Sequence, residues 1–494
     1  MTGVDTVLDI YRDIDAIHSA IGLMGWDRQV LMPPGGSKAR GIHTERLTNL
    51  SHALLTSERL KDAVESAKSQ ISEDSDELAM LHRLDREIGI ESKLPASLVS
   101  RKAKVSSDSY EVWKRARAEN DFPAMKPYLT ELFEIAKETA GFLGYVDHPY
   151  DALIDLYEEG ATTEDAREMF RSIGPVITDL VSRISQREPT DDSSLYGDWD
   201  KSRLIQFAKE TASQIGYRFE NGRLDIAPNA FCAGFSYRDV RLTTRASDHI
   251  KGIVSSSLHE MGHGLYEQGS NPDWDRTPLA GGISLAVHES QSRFWENIIG
   301  RSKPFWNFFL PQLKAKLPEL DDLSLDQFYA GMNRVQPEPI RVGADELTYN
   351  RHIQIRFELE VAIVEGSLDV ADLPEAWNEK TRAYLGFIPE SDSVGCLQDV
   401  HWSKGSVGYF ATYSMGNLIG AQIWEKLRTA VGDTDSFIAA GHFEPILGWL
   451  QQNLYRKSKR YTPKELISGI TGSTMKPDAW IRYATDKYSS LYRI

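Results

Sequence analysis

The chemistry of this chain is concentrated in His259-Glu260-Met261-Gly262-His263. Residues four apart on a helix lie one turn above each other on the same face. His259 and His263 can therefore present two imidazole nitrogens to one metal ion. Glu260 follows the first of them and can reach a water bound on that metal. Two His as ligands and a Glu as general base form a zinc-hydrolase arrangement.

Such a site needs a third protein ligand and an open fourth position. Glu289, in His288-Glu289-Ser290-Gln291-Ser292, is the best candidate, with Glu267 and Glu296 as rivals. His288 reads as a core residue or a partner behind the ligands. The elements that must position these groups are two helices. Asp248 to Gln268 carries an apolar stripe of Ile250, Ile253, Val254, Leu258, Met261 and Leu265 at helical spacing. Gly269 and Ser270-Asn271-Pro272 stop it. Leu285 to Ile299 reads as the second helix, and the loop from Thr277 to Gly282 turns the chain back between them.

The zinc helix followed by His288-Glu289-Ser290-Gln291-Ser292-Arg293 resembles the carboxypeptidase Taq family of metallocarboxypeptidases. Four further stretches are similar to that family: His148 to Leu153, Asp239 to Arg245, Ile340 to Glu346, and Gln398-Asp399-Val400-His401-Trp402 running on to Gly408-Tyr409-Phe410. The likeness covers essentially the whole chain. It implies a single catalytic unit over residues 1–494, with 1–200 as a helical cleft wall and 201–494 as the metal-binding part. It implies a mainly α, zincin-like metallopeptidase fold with a deep central cleft and a small β-sheet near the metal. It also implies that Glu289 is the ligand Glu, that one Zn2+ binds per chain (Co2+ or Mn2+ being possible), and that the protein is a homodimer. The implied reaction releases C-terminal amino acids from peptides. Two places depart from the family pattern. Asn229-Ala230-Phe231 stands where His-Pro-Phe is usual, and Tyr455 stands where a His is usual.

Further roles follow from that likeness and from what peptide hydrolysis needs. A donor beside the metal must stabilise the oxyanion, and His401, Tyr409 and Tyr413 are the candidates. A free C-terminal carboxylate suits the planar fork of an Arg, and Arg341 is the candidate clamp; the plainer reading pairs it with Asp345. Asp239, Arg241 and Thr243 would share one face of a strand within Phe231 to Thr244, a stretch that reads as a short strand pair. Asp239 and Arg241 are candidate substrate contacts, although a pair that pins the strand to the helices is the simpler account.

Composition sets the bounds. With 494 residues, 41% apolar and 26% charged, a large soluble core is expected. A net charge of -16 argues against general nucleic-acid binding. Two cysteines, Cys232 and Cys396, are too few for a disulfide framework. The first residues lack the basic region and apolar core of a signal peptide, and no apolar run is long enough to span a bilayer. A cytoplasmic enzyme acting on peptides, without membrane or nucleic-acid partners, is expected. Before Gln186 the pattern is helical, with Val7, Ile10, Ile14, Ile17, Ile21 and Met24 at helical spacing and a break at Met32 to Gly36. Gln186 to Ser202 is the most linker-like stretch, and Trp377, Trp424, Trp449 and Trp480 read as core anchors. The rival functions are an oligoendopeptidase on a similar helical zinc scaffold and a catalytically dead peptide-binding protein.

Overall fold

A computed structural model describes residues 3–69, 71–72, 74–247 and 249–494. The chain is mainly α, with one three-stranded sheet packed on the metal-binding helix. It opens with helices Gly3–Val30, Ser37–Leu55, Glu58–Lys68 and Asp76–Lys93. The break expected at Met32 to Gly36 is a short turn of helix, Pro34–Gly36. Ser57 and Ser75 cap the third and fourth helices by accepting hydrogen bonds from the N–H groups of Leu60 and Leu78.

These four helices have a core of their own, built on Val7, Ile10, Ile14, Leu60, Val64, Leu81, Leu84 and Ile88. They meet the rest of the chain through a small apolar cluster, in which Met80, Leu8 and Ala79 pack with Trp274 and Leu279, and through polar contacts. Arg86 donates to Asp155, Arg460 donates to Asp76, and Arg83 reaches Glu159 and the carbonyls of Lys459 and Tyr461. The packing therefore divides near residue 93. Helices Ala96–Glu119, Phe122–Leu143, Thr163–Ile184 and Lys201–Ile215 all feed the main core. The stretch that looks like a linker is tied down. Leu195 is buried, and Asp192 accepts from Arg334 at 2.8 Å.

The strand pair expected in Phe231 to Thr244 is β2 (Cys232–Ser236) and β3 (Asp239–Thr244), joined by a third strand, β1 (Gly222–Ile226). The order is β1-β3-β2, with β1 parallel and β2 antiparallel to β3. Leu242 is buried, and Thr244 bonds Ser256 on the metal helix at 2.7 Å, so β3 lies directly against that helix.

The two candidate substrate contacts on β3 are paired with each other. Arg241 closes its fork on Asp239, with bonds of 2.8 and 2.9 Å. Its guanidinium then stacks over the Trp26 ring at 4.5 Å. The register pairs Arg223 with Arg241, and Arg223, itself closed on Asp225, lies 5.1 Å from the same ring. Two neutralised guanidinium groups thus hold Trp26 of the first helix against the sheet. Thr243 is buried and turned to the backbone of Asn229 and Phe231, which shapes the segment that departs from the family pattern.

The metal helix spans Ile250–Gln268, and every residue of its expected stripe is buried. His249 caps it by accepting from the Lys251 N–H, and Gly269 follows its last residue. Asp248, the expected first residue, lies outside the described residues. Trp377, Trp424 and Trp480 are buried as expected, and Trp449 is half-buried at the edge of the main core.

If Arg241 is a packing residue, Arg241→Ala should destabilise the fold by about 1–2 kcal/mol while kcat and KM of the folded enzyme stay within about twofold. Denaturant unfolding together with peptide-hydrolysis kinetics checks both halves.

Candidate metal centre

His259 and His263 stand one turn apart on the Ile250–Gln268 helix and point their Nε2 atoms at the same carboxylate. Glu289 Oε2 lies 3.5 Å from each. Among the described residues, these three form the one group of His, Cys, Asp and Glu able to hold a metal ion, with ligand atoms within 4.8 Å of one another. Glu289 comes from the second expected helix, which is α-helical over Leu285–Arg293 and then widens into a π-type turn over Phe294–Ile299. Such turns are frequent at functional sites.

Two close backbone approaches make this convergence possible. A Cβ on Gly262 would stand 2.4 Å from the Gln291 carbonyl oxygen and 2.7 Å from Ser292 Cα. On the opposite side, a Cβ on Gly416 would stand 2.8 Å from Glu289 Cβ. The Glu289 helix is therefore clamped between the metal helix, backbone on backbone at Gly262, and helix Ala411–Val431, where Gly416 lies on the stem of the Glu289 side chain.

The nitrogens that face away from the shared point are committed. His259 Nδ1 donates to Glu296 Oε2 at 2.9 Å. His288 Nε2 donates to Glu267 Oε1 at 2.6 Å, which leaves His288 Nδ1 to accept from His263 Nδ1 at 2.7 Å. Each ligand His thus ends on a carboxylate, one directly and one through a second imidazole, and each keeps its Nε2 lone pair for a metal. Glu296 and Glu267, the rival third ligands, occupy these outer places. Residues that hold Nε2 free, with a carboxylate oxygen beside both, fit a divalent ion of the kind bound by N and O donors.

The buried charges are balanced locally. Arg293 donates to Glu289 Oε1 at 2.7 Å and to Glu296 Oε2 at 3.1 Å, and Arg301 donates to Glu296 Oε1 at 2.7 Å. Burial acts to raise both carboxyls, but the arginines and histidines hold them well below the usual carboxylate range. Burial holds His263 down to about 4, against the pull of Glu289. Glu260, one residue past His259, differs from both. No cation bonds to it, and burial pushes its carboxyl up to about 7, with His259 opposing the rise and Glu289 adding to it. Arg293 carried no assigned role in the sequence, although it sits four residues after Glu289 and three before Glu296, a spacing that lets one helical cation serve both.

A second wall is built from the stretch 399–413. Tyr413 lies one turn before Gly416, the residue against Glu289. The rings of Tyr409 and Tyr413 are 5.3 Å apart, and Tyr409 is 5.2 Å from His401. His401 Nε2 lies 3.2 Å from the Tyr413 hydroxyl, while its buried Nδ1 has no hydrogen-bond partner. Burial drives His401 down to about 3, so the ring is neutral, and raises the Tyr409 hydroxyl to about 12, so it keeps its proton.

Arg341 meets a carboxylate of its own chain. Its Nε and Nη2 are already closed on Asp399, at 2.8 to 3.2 Å, and Nη1 donates to Tyr349 at 3.0 Å. The residue is buried, and Asp399 also binds Arg356. Asp399 thus takes the Nε–Nη2 edge of the guanidinium, and a substrate carboxylate would have to meet the remaining N–H groups of Nη1 and Nη2. The pairing with Asp345 is not formed, because Asp345 accepts from the N–H groups of Gln336, Leu347 and Thr348. Tyr455, the other departure from the family pattern, is a core residue. Its hydroxyl accepts from Trp295 Nε1 and donates to Gln291 Oε1 behind the Glu289 helix.

A metal-binding pair on one helix, completed by a carboxylate on the next and backed by a small sheet, defines a helical metallohydrolase. A family model described as carboxypeptidase Taq (M32) metallopeptidase matches residues 6–488. The chain is 36% identical over 492 residues to thermostable carboxypeptidase 1 of Pyrococcus furiosus, with 98% of each chain covered. It is 34% identical to carboxypeptidase 1 of Bacillus subtilis, covering 98% of this chain and 97% of that one. The crystal structure of the M32 carboxypeptidase from Deinococcus radiodurans superposes with a TM-score of 0.97 at 32% identity, over 100% of both chains. The chain belongs to the carboxypeptidase Taq family and is a metallocarboxypeptidase.

The helix crossing at Gly262 and the outer bonds give one joint expectation. Gly262→Ala should separate the two helices at a cost of about 1–3 kcal/mol. Both it and Glu296→Gln should weaken metal binding by about 10–100-fold. Competition with a chromophoric chelator reads this directly; unchanged affinity in both variants would show that the Glu289 helix and the Glu296 bond do not shape the site.

Proposed function

We propose that this enzyme trims peptides one residue at a time from a free C-terminus, with one Zn2+ per chain held by His259, His263 and Glu289. The observation that carries the assignment is the convergence of two Nε2 atoms on Glu289 Oε2 while both Nδ1 atoms are hydrogen-bonded elsewhere. When bound, such a metal supplies Lewis acidity and a more acidic water. Co2+ or Mn2+ would suit the same N and O donors.

The work of the protein groups follows from where they stand. Glu260 is next to a ligand, buried, and free of a competing cation. A carboxyl held near 7 suits a group that takes a proton from the attacking water and returns it to the departing amine. Tyr409, protonated and facing the cluster of His401 and Tyr413, donates to the oxyanion as it forms. His401 is neutral and sets its Nε2 3.2 Å from the Tyr413 hydroxyl, so it acts on the substrate together with the two tyrosines. Cutting at the chain end, rather than internally as an oligoendopeptidase would, rests on the family membership. Among the described residues, no helix is long and apolar enough to cross a membrane. A homodimer, which rests on the likeness to the family, and a cytoplasmic location complete the proposal.

Glu260→Gln should keep its metal, as elemental analysis will show, and lose about 10²–10⁴-fold in kcat. A near-normal turnover in the metal-loaded variant would move the base elsewhere. Substrate polarity is tested separately: peptides with amidated C-termini should lose about 2–5 kcal/mol in kcat/KM relative to the free acids. Mass spectrometry of the products should give ladders from the C-terminus, and internal fragments from both peptide sets would instead mark an endopeptidase.

A further inference from the structure

Glu360 lies in helix Tyr349–Glu365, is fully buried, and is not part of the metal group. Its two oxygens accept three hydrogen bonds, two from the ends of one stretch and one from a separate helix. Trp402 Nε1 donates at 2.7 Å to Oε1. The Tyr150 hydroxyl donates at 2.6 Å and the Gly408 N–H at 3.0 Å to Oε2. No cation bonds to it: the nearby Arg356 turns Nε to Asp399 and Nη1 to the His352 carbonyl, and its buried Nη2 has no partner. Burial pushes its carboxyl up to about 7 against these three bonds. A buried carboxylate is costly to retain, and an apolar residue could fill the volume.

The donors show what the carboxylate gains. Trp402 follows His401, and Gly408 precedes Tyr409. Tyr150 begins the segment that leads to Tyr157, whose ring packs on Tyr409 at 5.3 Å. One group therefore ties down both ends of the 401–409 stretch and the segment its aromatic rings lean on. An amide could not do the same, since in one orientation its NH2 would face the Trp402 Nε1–H and in the other the Gly408 N–H, donor against donor.

We propose that Glu360 is a positioning residue for the peptidase reaction, setting where His401 and Tyr409 stand beside the metal group. This rests on the reading of those two side chains given under the proposed function. Glu360 touches no substrate, and acts only through them.

The test uses the full-length, metal-loaded enzyme and measures kcat and KM for Glu360→Gln, for the double variant His401→Ala/Tyr409→Phe, and for all three changes together. Glu360→Gln should lose about tenfold or more in kcat with KM within about twofold and metal content unchanged. In the background lacking both side chains, the same change should cost less than about twofold, because groups acting as one unit are not additive. A wild-type kcat in Glu360→Gln, or the same full loss repeated in that background, overturns the proposal; the second result would mark Glu360 as a folding device. If Glu360→Gln does not fold, Tyr150→Phe decides. It keeps the carboxylate and deletes one bond, and it should lose about threefold in kcat with the same non-additivity; wild-type kinetics there overturns the proposal too. If His401→Ala/Tyr409→Phe itself retains full kcat, the reading of those residues fails and the proposal falls with it, a pattern distinct from the failure of Glu360→Gln alone.

Discussion

The contact on which the site depends is the crossing of two helix backbones at Gly262. A carboxylate on a short side chain reaches two histidines of a neighbouring helix only if the axes come closer than ordinary side chains allow. Gly262 removes the obstacle on one side of the Glu289 helix and Gly416 on the other, so Glu289 has little freedom to withdraw. Close packing leaves a core few alternatives to such an arrangement. The π-type turn that begins at Phe294 then carries Glu296 to the far side of His259, where it holds the other ring nitrogen.

The rest of the centre solves an electrostatic problem created by that crossing. Glu260, Glu289 and Glu296 are all buried within the same small volume. Isolated carboxylates there would take up protons and lose their use as ligands. Arg293 and Arg301 prevent this for Glu289 and Glu296, and neither bonds Glu260. The same surroundings therefore hold two acids well below the usual carboxylate range and leave the carboxyl of the third raised. The opposite wall repeats the device with Asp399, which takes two buried arginines, and with Glu360, which takes three neutral donors.

The three-stranded sheet acts as a strut between the early helices and the metal helix. Its inner strand is fastened to the metal helix by Leu242 packing and the Thr244–Ser256 bond. Outward, Arg223 and Arg241 grip Trp26. Because the first four helices have their own small core, their placement relative to the centre rests on this grip, on the cluster of Met80 with Trp274 and Leu279, and on the ion pairs made by Arg83, Arg86 and Arg460.

Local periodicity determined much of this protein before any contact was known. The stripe from Ile250 to Leu265 set the metal helix, and the four-residue step put His259 and His263 on one face. Glu289 stood out from Glu267 and Glu296 only weakly by spacing, and more firmly through the likeness of its motif to a known family. What a linear pattern does not carry is which partner a charged side chain will meet. Arg341 has the same composition whether its fork is open to a substrate or closed on Asp399, 58 positions away, and only the folded chain decided for Asp399. Arg241 likewise spends its charge on Asp239 and its face on Trp26. The strand β1 escaped notice because Gly222–Ile226 is short and finds its register only against β3. Helices are written in local spacing, because their hydrogen bonds close within four residues. Ion pairs, sheet neighbours and helix crossings join distant segments, and those were settled by tertiary packing alone.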